Sequence, residues 1–461
     1  MNTKMSKKIF LFLILTGLLT TVRAQNIFNH DYSQTLVMKL DLAIPNGEGG
    51  SKVINTFESA LEVIKIADHL SLGIPKIIYL VGWQYNGHDD KYPAFFEVNK
   101  HLKRPQDANA RESLLWLMKE AKKYHTIVSL HINMTDAYDD SPLWNEYVEK
   151  DMISKTSSGK LMVIGRYNNR KAYQINYRNE WKNGYAQMRI DRLLELLPPL
   201  KEGGSIHLDA WIVRESKGHY ESAMTEAKYQ KKILKYWNDK GLDVTSEWVM
   251  DYMVGEVPFA WHFNHMTQSD YLKIPAKIYT GSGLNPDVKK TDFALGFLFG
   301  KSMYGETVFP SLLKEDKNNE WIKKFNKDFY LNVLQYNFLN RLKRLKVDGK
   351  GNSRTAYFSK DVKVSLKDST VTRGDFTLRK KDVVIFPVQW NAEKTLAVYS
   401  QKQSLKSIQL PPCWKDVKTV SVFEVTGNGN KLLKNINLKE NRIVFKFQPA
   451  TPYLLKPKIY K

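Results

Sequence analysis

Three short apolar runs carry polar residues on one face only, and no other feature constrains the fold of this chain more. In the run from Ser129 to Asn133, Ser129, His131 and Asn133 share a face while Leu130 and Ile132 share the other. From Ile206 to Trp211, His207 and Asp209 oppose Leu208; from Val244 to Glu247, Thr245 and Glu247 pair in the same way. A strand buried on both faces of a parallel sheet should read as unbroken Val, Ile and Leu. Polar residues at the C-terminal ends of three such strands predict a site at the mouth of a barrel.

The surrounding texture agrees. Thr35–Ile44, Ile77–Val81, Ile127–Asn133, Ser205–Trp211 and Leu242–Glu247 read as strands. Between them, Phe57–Leu70, the repeat Leu114, Leu117, Met118, Ala121 and Tyr124, Met188–Leu197 and Glu226–Lys240 have helical period. Further apolar helices are expected near Phe293–Tyr304 and Trp321–Leu342. This alternation predicts a (β/α)8 TIM-type barrel over residues 25–342. After Lys343 the texture changes to short alternating runs, among them Val362–Leu366, Val383–Val388, Thr395–Tyr399, Val417–Val425 and Arg442–Phe447. Residues 343–461 therefore read as a small antiparallel β-sandwich.

Lys4, Lys7 and Lys8 precede an apolar run from Ile9 to Leu19, and Val22-Arg-Ala24 supplies small residues where a signal peptidase would cut. Residues 1–24 are expected to be a cleaved signal peptide, too short to span a membrane, and the mature protein to be secreted or periplasmic. A single cysteine, Cys413, excludes a disulfide framework and a zinc ribbon. The formal net charge is +22, and the segment from Lys343 onward holds 25 Lys or Arg against 9 Asp or Glu. For an exported chain with scattered rather than clustered basic residues, nucleic acid is not the expected partner. A solvated basic surface is the plain reading and an anionic glycan the functional one. The oligomeric state is not legible.

Asp209 and Glu247 lie on strands separated by one helix, hence on neighbouring strands about 4.8 Å apart. Carboxyls so placed can approach to about 5 Å, the spacing of a retaining glycosidase. Asp209 is expected to be the nucleophile and Glu247 the acid/base. Trp83, Trp211, Trp248 and Trp261 sit at or beyond strand ends, where an aromatic face can stack on a sugar ring. His262 and His265 lack His-Glu-x-x-His spacing, Asp136, Asp139 and Asp140 do not fit an EF-hand, and Gly281-Ser-Gly283 is too little for a nucleotide loop. No metal or cofactor is expected.

The run from Gly82 to Pro93, Gly-Trp-Gln-Tyr-Asn-Gly-His-Asp-Asp-Lys-Tyr-Pro, resembles the Gly-Tyr-Gln-x-x-Gly-His-Asp-x-x-x-Pro segment of glycoside hydrolase family 101, the endo-α-N-acetylgalactosaminidases. His131-Ile-Asn133 with Tyr138, His207 to Trp211, and Thr245 to Trp248 are similar to its later strand ends, in order. The related family 129 resembles this barrel as well. The resemblance implies a retaining hydrolase acting on the α-linked GalNAc of mucin-type O-glycans. It also implies that His88 and Asp89 bind sugar hydroxyls, with Gln84, His131 and Asn133 around them. Lys160–Tyr177 stands where an aromatic lid is expected and matches poorly. An exo-acting α-N-acetylgalactosaminidase or α-galactosidase, and a non-catalytic glycan-binding protein, are the alternatives.

Overall fold

The computed structural model describes residues 28–301, 320–391 and 393–458. The signal-peptide reading, and the end of the helix expected at Phe293–Tyr304, lie outside these residues. Seven strands form one parallel ladder in sequence order: β1 (Leu36–Asp41), β2 (Lys76–Val81), β3 (Thr126–Asn133), β4 (Ser205–Asp209), β5 (Asp243–Trp248), β6 (Phe259–Phe263) and β7 (Thr280–Gly281). Crossover helices connect the first five, with α1 (Phe57–Leu70) after β1, α2 (Ala110–Ala121) after β2, α3 (Tyr185–Leu196) after β3 and α4 (Ala223–Asp239) after β4. Parallel neighbours require such crossovers, because no tight turn can bring the chain back to the same end. Thr56 caps α1 by accepting from the Ser59 amide, and Ser222 caps α4 through the Thr225 amide.

The sheet curls into a TIM-type half-barrel with seven strands, rather than eight, among the described residues. The gap between its edges is bridged by a helical segment, Glu320–Asp328, a π turn at Phe329–Val333, and Leu334–Asn340. Tyr336 on this segment reaches both edges. Its hydroxyl lies 2.7 Å from Thr280 Oγ1 on β7 and donates to the Tyr32 carbonyl, just ahead of β1, at 3.0 Å.

Alternation along each strand sorts side chains into two cores. Leu208, Val244, Leu130 and Ile132 point outward into the layer between sheet and helices. Val37, Ile77, Tyr79, Phe259 and Trp261 fill the barrel interior with Tyr32. The C-terminal region is a ten-stranded antiparallel sheet with a two-stranded sheet, Leu405–Gln409 and Arg442–Phe447, packed across part of it. In the strand Leu396–Ser400, Leu396 and Val398 face that small core, while Ala397 and Tyr399 join the barrel's core. Tyr399 stacks on Tyr330 at 5.3 Å, and Phe386 meets Phe338 at 5.4 Å.

Replacing Tyr336 by Phe removes a buried donor and leaves the Tyr32 carbonyl without it. A loss of about 1–3 kcal/mol is expected in urea unfolding followed by circular dichroism. An unchanged midpoint would show that the barrel edges do not depend on this bridge.

Candidate active site

The site is built by strand register. His131 on β3 is level with His207 on β4, and Asn133 with Asp209. His207 is in turn level with Thr245 on β5. All of these side chains project into the barrel, so the register stacks them in layers. In the lower layer His207 stacks on Tyr79 at 5.1 Å, meets Trp261 edge-on at 5.6 Å, and shares a 2.8 Å hydrogen bond with the Thr245 hydroxyl. Burial, and then the nearby Lys39, push the His207 imidazole well below its ordinary range, so it is neutral.

Above it lie the acids. Asp209 Oδ2 is 3.4 Å from His131 Nε2 and 4.0 Å from His88 Nε2. It also faces the amide of Asn133 at 3.4 Å. Asn133 is held for this purpose, because its Oδ1 accepts from the Thr135 and Asp136 amides at 2.7 and 2.9 Å. Glu247 is 5% exposed. Its Oε1 pairs with the Lys39 ammonium and lies 3.7 Å from His262 Nε2, and its Oε2 accepts from the Ala210 amide at 3.3 Å. Burial and the Asp209 charge raise the Glu247 carboxyl, but Lys39 and His207 outweigh them and hold it below its usual range.

The loop after β2 delivers the remaining groups. Its chain folds tightly over Ala43: the His88 amide donates to the Ala43 carbonyl at 2.9 Å. Gly82 and Gly87 have φ of +76° and +134°, and a Cβ at either would sit 1.9 or 2.6 Å from that same oxygen. Only glycine fits there, which accounts for both glycines of the motif. His88 Nε2 then lies 3.5 Å from Asp89 Oδ1. Burial, and repulsion from Asp209 and Glu247, drive Asp89 up to about 6 against the opposing pull of His88 and Arg170.

The hairpin of Val163–Tyr167 and Arg170–Gln174 occupies the expected lid segment and clamps this loop. Asn168 donates to the His88 carbonyl at 3.0 Å, and Arg170 donates to the Asp89 carbonyl at 2.7 Å and to Asp90 Oδ1 at 2.9 Å. Tyr167, beside the turn, is 45% exposed; partial burial and the charges of Asp136, Asp89 and Asp209 raise its phenol.

The sequence-predicted residues divide clearly. Asp209, Glu247, His88, Asp89, His131 and Asn133 come together around one space. Gln84 is enclosed, its Nε2 donating to the Tyr92 hydroxyl at 3.0 Å, and its Oε1 accepts no hydrogen bond among the described residues. Trp248 is half-buried against Phe263 at 4.2 Å. Three expectations need correction, the first being Trp261, which is buried in the barrel interior beside Lys39. Trp83 and Trp211 have no exposed surface and cannot offer a face to a sugar. Trp83 donates to the His131 carbonyl at 3.1 Å and props up β3 from behind, while Trp211 packs edge-on against Tyr177. Each ring, two residues past the end of its strand, turns back into the main core.

Lys39 is the residue sequence reading passed over. It is 1% exposed, in the barrel interior on β1, with Nζ 4.9 Å from the Trp261 ring centre and paired to Glu247. A lysine inside the apolar run Leu36–Leu42 was the available signal. Arg170, Asp136 and His262 were likewise not singled out as site residues. Two overlapping donor sets, His88 with His131 and Asp209, and His131 with His207 and Glu247, have atoms within 4.8 Å of one another. That spacing could hold an ion, but the second set shares Glu247 with Lys39, whose charge opposes a cation there.

The family model for endo-α-N-acetylgalactosaminidase, glycoside hydrolase family 101, matches residues 29–273. The fold is similar to that of the α-N-acetylgalactosaminidase NagBb of Bifidobacterium bifidum in its GalNAc complex, with a TM-score of 0.52 at 10% identity. The ligand-free form of that protein gives 0.51 at 11% identity. In both comparisons the match covers 74% of this chain and 58% of the other. The chain thus spans less than two thirds of the length of those neighbours. The family match runs over more than half of the sequence and takes in every residue gathered at the barrel mouth: the chain belongs to glycoside hydrolase family 101.

Proposed function

We propose that the protein is a retaining glycoside hydrolase that cleaves α-linked N-acetylgalactosamine from O-glycans by double displacement. The observation that carries this reading is the placement of Asp209 and Glu247 at the C-terminal ends of adjacent strands, facing one polar space. The Asp209 carboxylate attacks the anomeric carbon, and the bonding pair to the leaving oxygen departs with that oxygen as Glu247 gives it a proton. A glycosyl ester on Asp209 results. Water then gives its proton to Glu247 as its oxygen displaces the ester, releasing sugar with retained configuration. Asp89 and His88 are suited to hold the hydroxyls of the same sugar, and Asn133 and His131 to fix Asp209 for attack.

Family membership supports the α-GalNAc specificity. Release of the disaccharide Galβ1,3GalNAc is the endo outcome, and release of the single sugar the exo one. Aryl glycosides of GalNAc, Gal and Galβ1,3GalNAc separate them by which is turned over. On the aryl substrate cleaved, Asp209→Ala is expected to lower kcat by roughly a thousandfold or more, since the covalent step is lost. Azide should then give a glycosyl azide of inverted configuration from Asp209→Ala, and of retained configuration from Glu247→Ala. The opposite stereochemistry would exchange the two roles.

The pH profile tests the electrostatics. Asp89 must be ionised to accept hydroxyl protons, so kcat/KM should fall as pH drops through about 6. Asp89→Asn should lose that limb. Glu247 must be protonated in the first step, and Lys39 stabilises its ionised form. Lys39→Met removes the cation and raises the Glu247 pKa, so the acid survives to higher pH and the alkaline limb of kcat/KM moves upward. A limb that stays in place or moves down would refute control of the acid by Lys39.

A further inference from the structure

At the N-terminal end of the barrel, roughly 20 Å along the strands from the acids, a cavity of about 780 Å³ opens between barrel and β-domain. Its walls come from residues just ahead of β1, the loop after the helix Gln268–Lys273, the end of the helix Leu334–Asn340 and the first β-domain strands. Lys273, Lys277, Arg341, Lys343, Arg344, Lys360 and Arg373 line it, against one carboxylate, Asp31. None of these seven cations pairs with a carboxylate within 4.0 Å among the described residues. Arg354 nearby shows the contrast: it grips Asp292 through both oxygens, at 2.6 and 2.9 Å.

Arg344 is fixed by neutral partners alone. It donates to the Tyr271 carbonyl at 2.9 Å and to Asn340 Oδ1 at 2.8 Å, and its guanidinium carbon lies 5.2 Å from the Tyr271 ring centre. A half-buried cation held without a counter-charge gains from an incoming anion. The cavity also offers neutral hydrogen-bonding groups of both kinds. Ser33, Gln34, Asn340 and Gln389 line it beside the cations and carry neutral donors and acceptors. A bare oxyanion can answer only donors, whereas a sugar carrying an oxyanion also brings hydroxyls that can donate to acceptors on these neutral side chains.

We propose that this cavity is a second carbohydrate site, distinct from the catalytic one, that binds an acidic glycan unit bearing a sulfate ester or a carboxylate. Its volume suits one or two sugar rings. It rests on the proposed action on O-glycans only for its purpose, which is to retain acidic glycoproteins near the barrel; binding itself needs no turnover.

Titration calorimetry of the full chain with a sulfated galactose, sialyllactose, lactose and sodium sulfate tests it. Binding of either acidic sugar, with lactose and sodium sulfate each at least about tenfold weaker, is the expected result, and which acidic sugar binds identifies the sulfate ester or the carboxylate. The pair Arg341→Glu with Lys360→Glu should weaken that binding about tenfold or more, while hydrolysis of a neutral aryl glycoside and the circular dichroism spectrum stay unchanged. Should charge reversal disturb the fold, the pair Arg341→Gln with Lys360→Gln should show a smaller loss in the same direction. Asp209→Ala should bind the acidic sugar as wild type does, so loss of catalysis and loss of this site are separable. Binding of no acidic sugar, sodium sulfate binding as tightly as the glycan, or affinity unmoved in the folded variants would each overturn the proposal.

Discussion

Four carboxylates, Asp89, Asp136, Asp209 and Glu247, crowd the largely buried mouth of the barrel, and the site around them is arranged to make that tolerable. Like charges in a poorly solvated space raise one another's pKa values, and uncompensated they would simply protonate. Compensation comes from three directions: Lys39 from the opposite wall of the barrel, the histidines His88 and His131 beside Asp209, and Arg170 from the hairpin above. The result is a graded set. Glu247 is held down by its lysine, whereas Asp89 is driven up despite its histidine. Environments that push carboxyls apart are what allow them to play different roles in one reaction.

The rigid parts of the fold serve this electrostatic arrangement. Parallel pairing fixes which residues stand level, so His131 and Asn133 reach Asp209 without any loop deciding it. The glycine loop adds His88 and Asp89 because its backbone can approach Ala43 more closely than any side chain would permit. The hairpin then pins that loop through main-chain carbonyls. Trp83 and Trp211, set just past the strand ends, have no exposed surface and hold the scaffold instead. At the other end, the β-domain shares a core with the barrel through Tyr399 and Phe386, and the basic surface it brings meets that of the barrel foot in one cavity.

Much of this is legible in the amino-acid sequence. The helix Phe57–Leu70 stands where its periodicity placed it, and the interior-facing pairs His131 with Asn133, His207 with Asp209, and Thr245 with Glu247 follow from a period of two. The β-domain strands at Val383–Pro387 and Arg442–Phe447 follow from the same alternation. The apolar run around Lys39 marks it as unusual, but nothing local shows that it faces an acid rather than snorkelling to the surface. Arg170 was hidden for a similar reason: its partners Asp90 and Asp140 are 80 and 30 residues away.

The sequence by itself determined the faces of the strands, the order of the βα units, and the two acids at adjacent strand ends. These depend on side-chain periodicity and chain connectivity, which are local. Tertiary structure decided which cation neutralises which acid, which tryptophans are core, and how the barrel edges are bridged by Tyr336. Those depend on contacts between residues distant in the chain, where desolvation and Coulomb energies are set by what burial brings together.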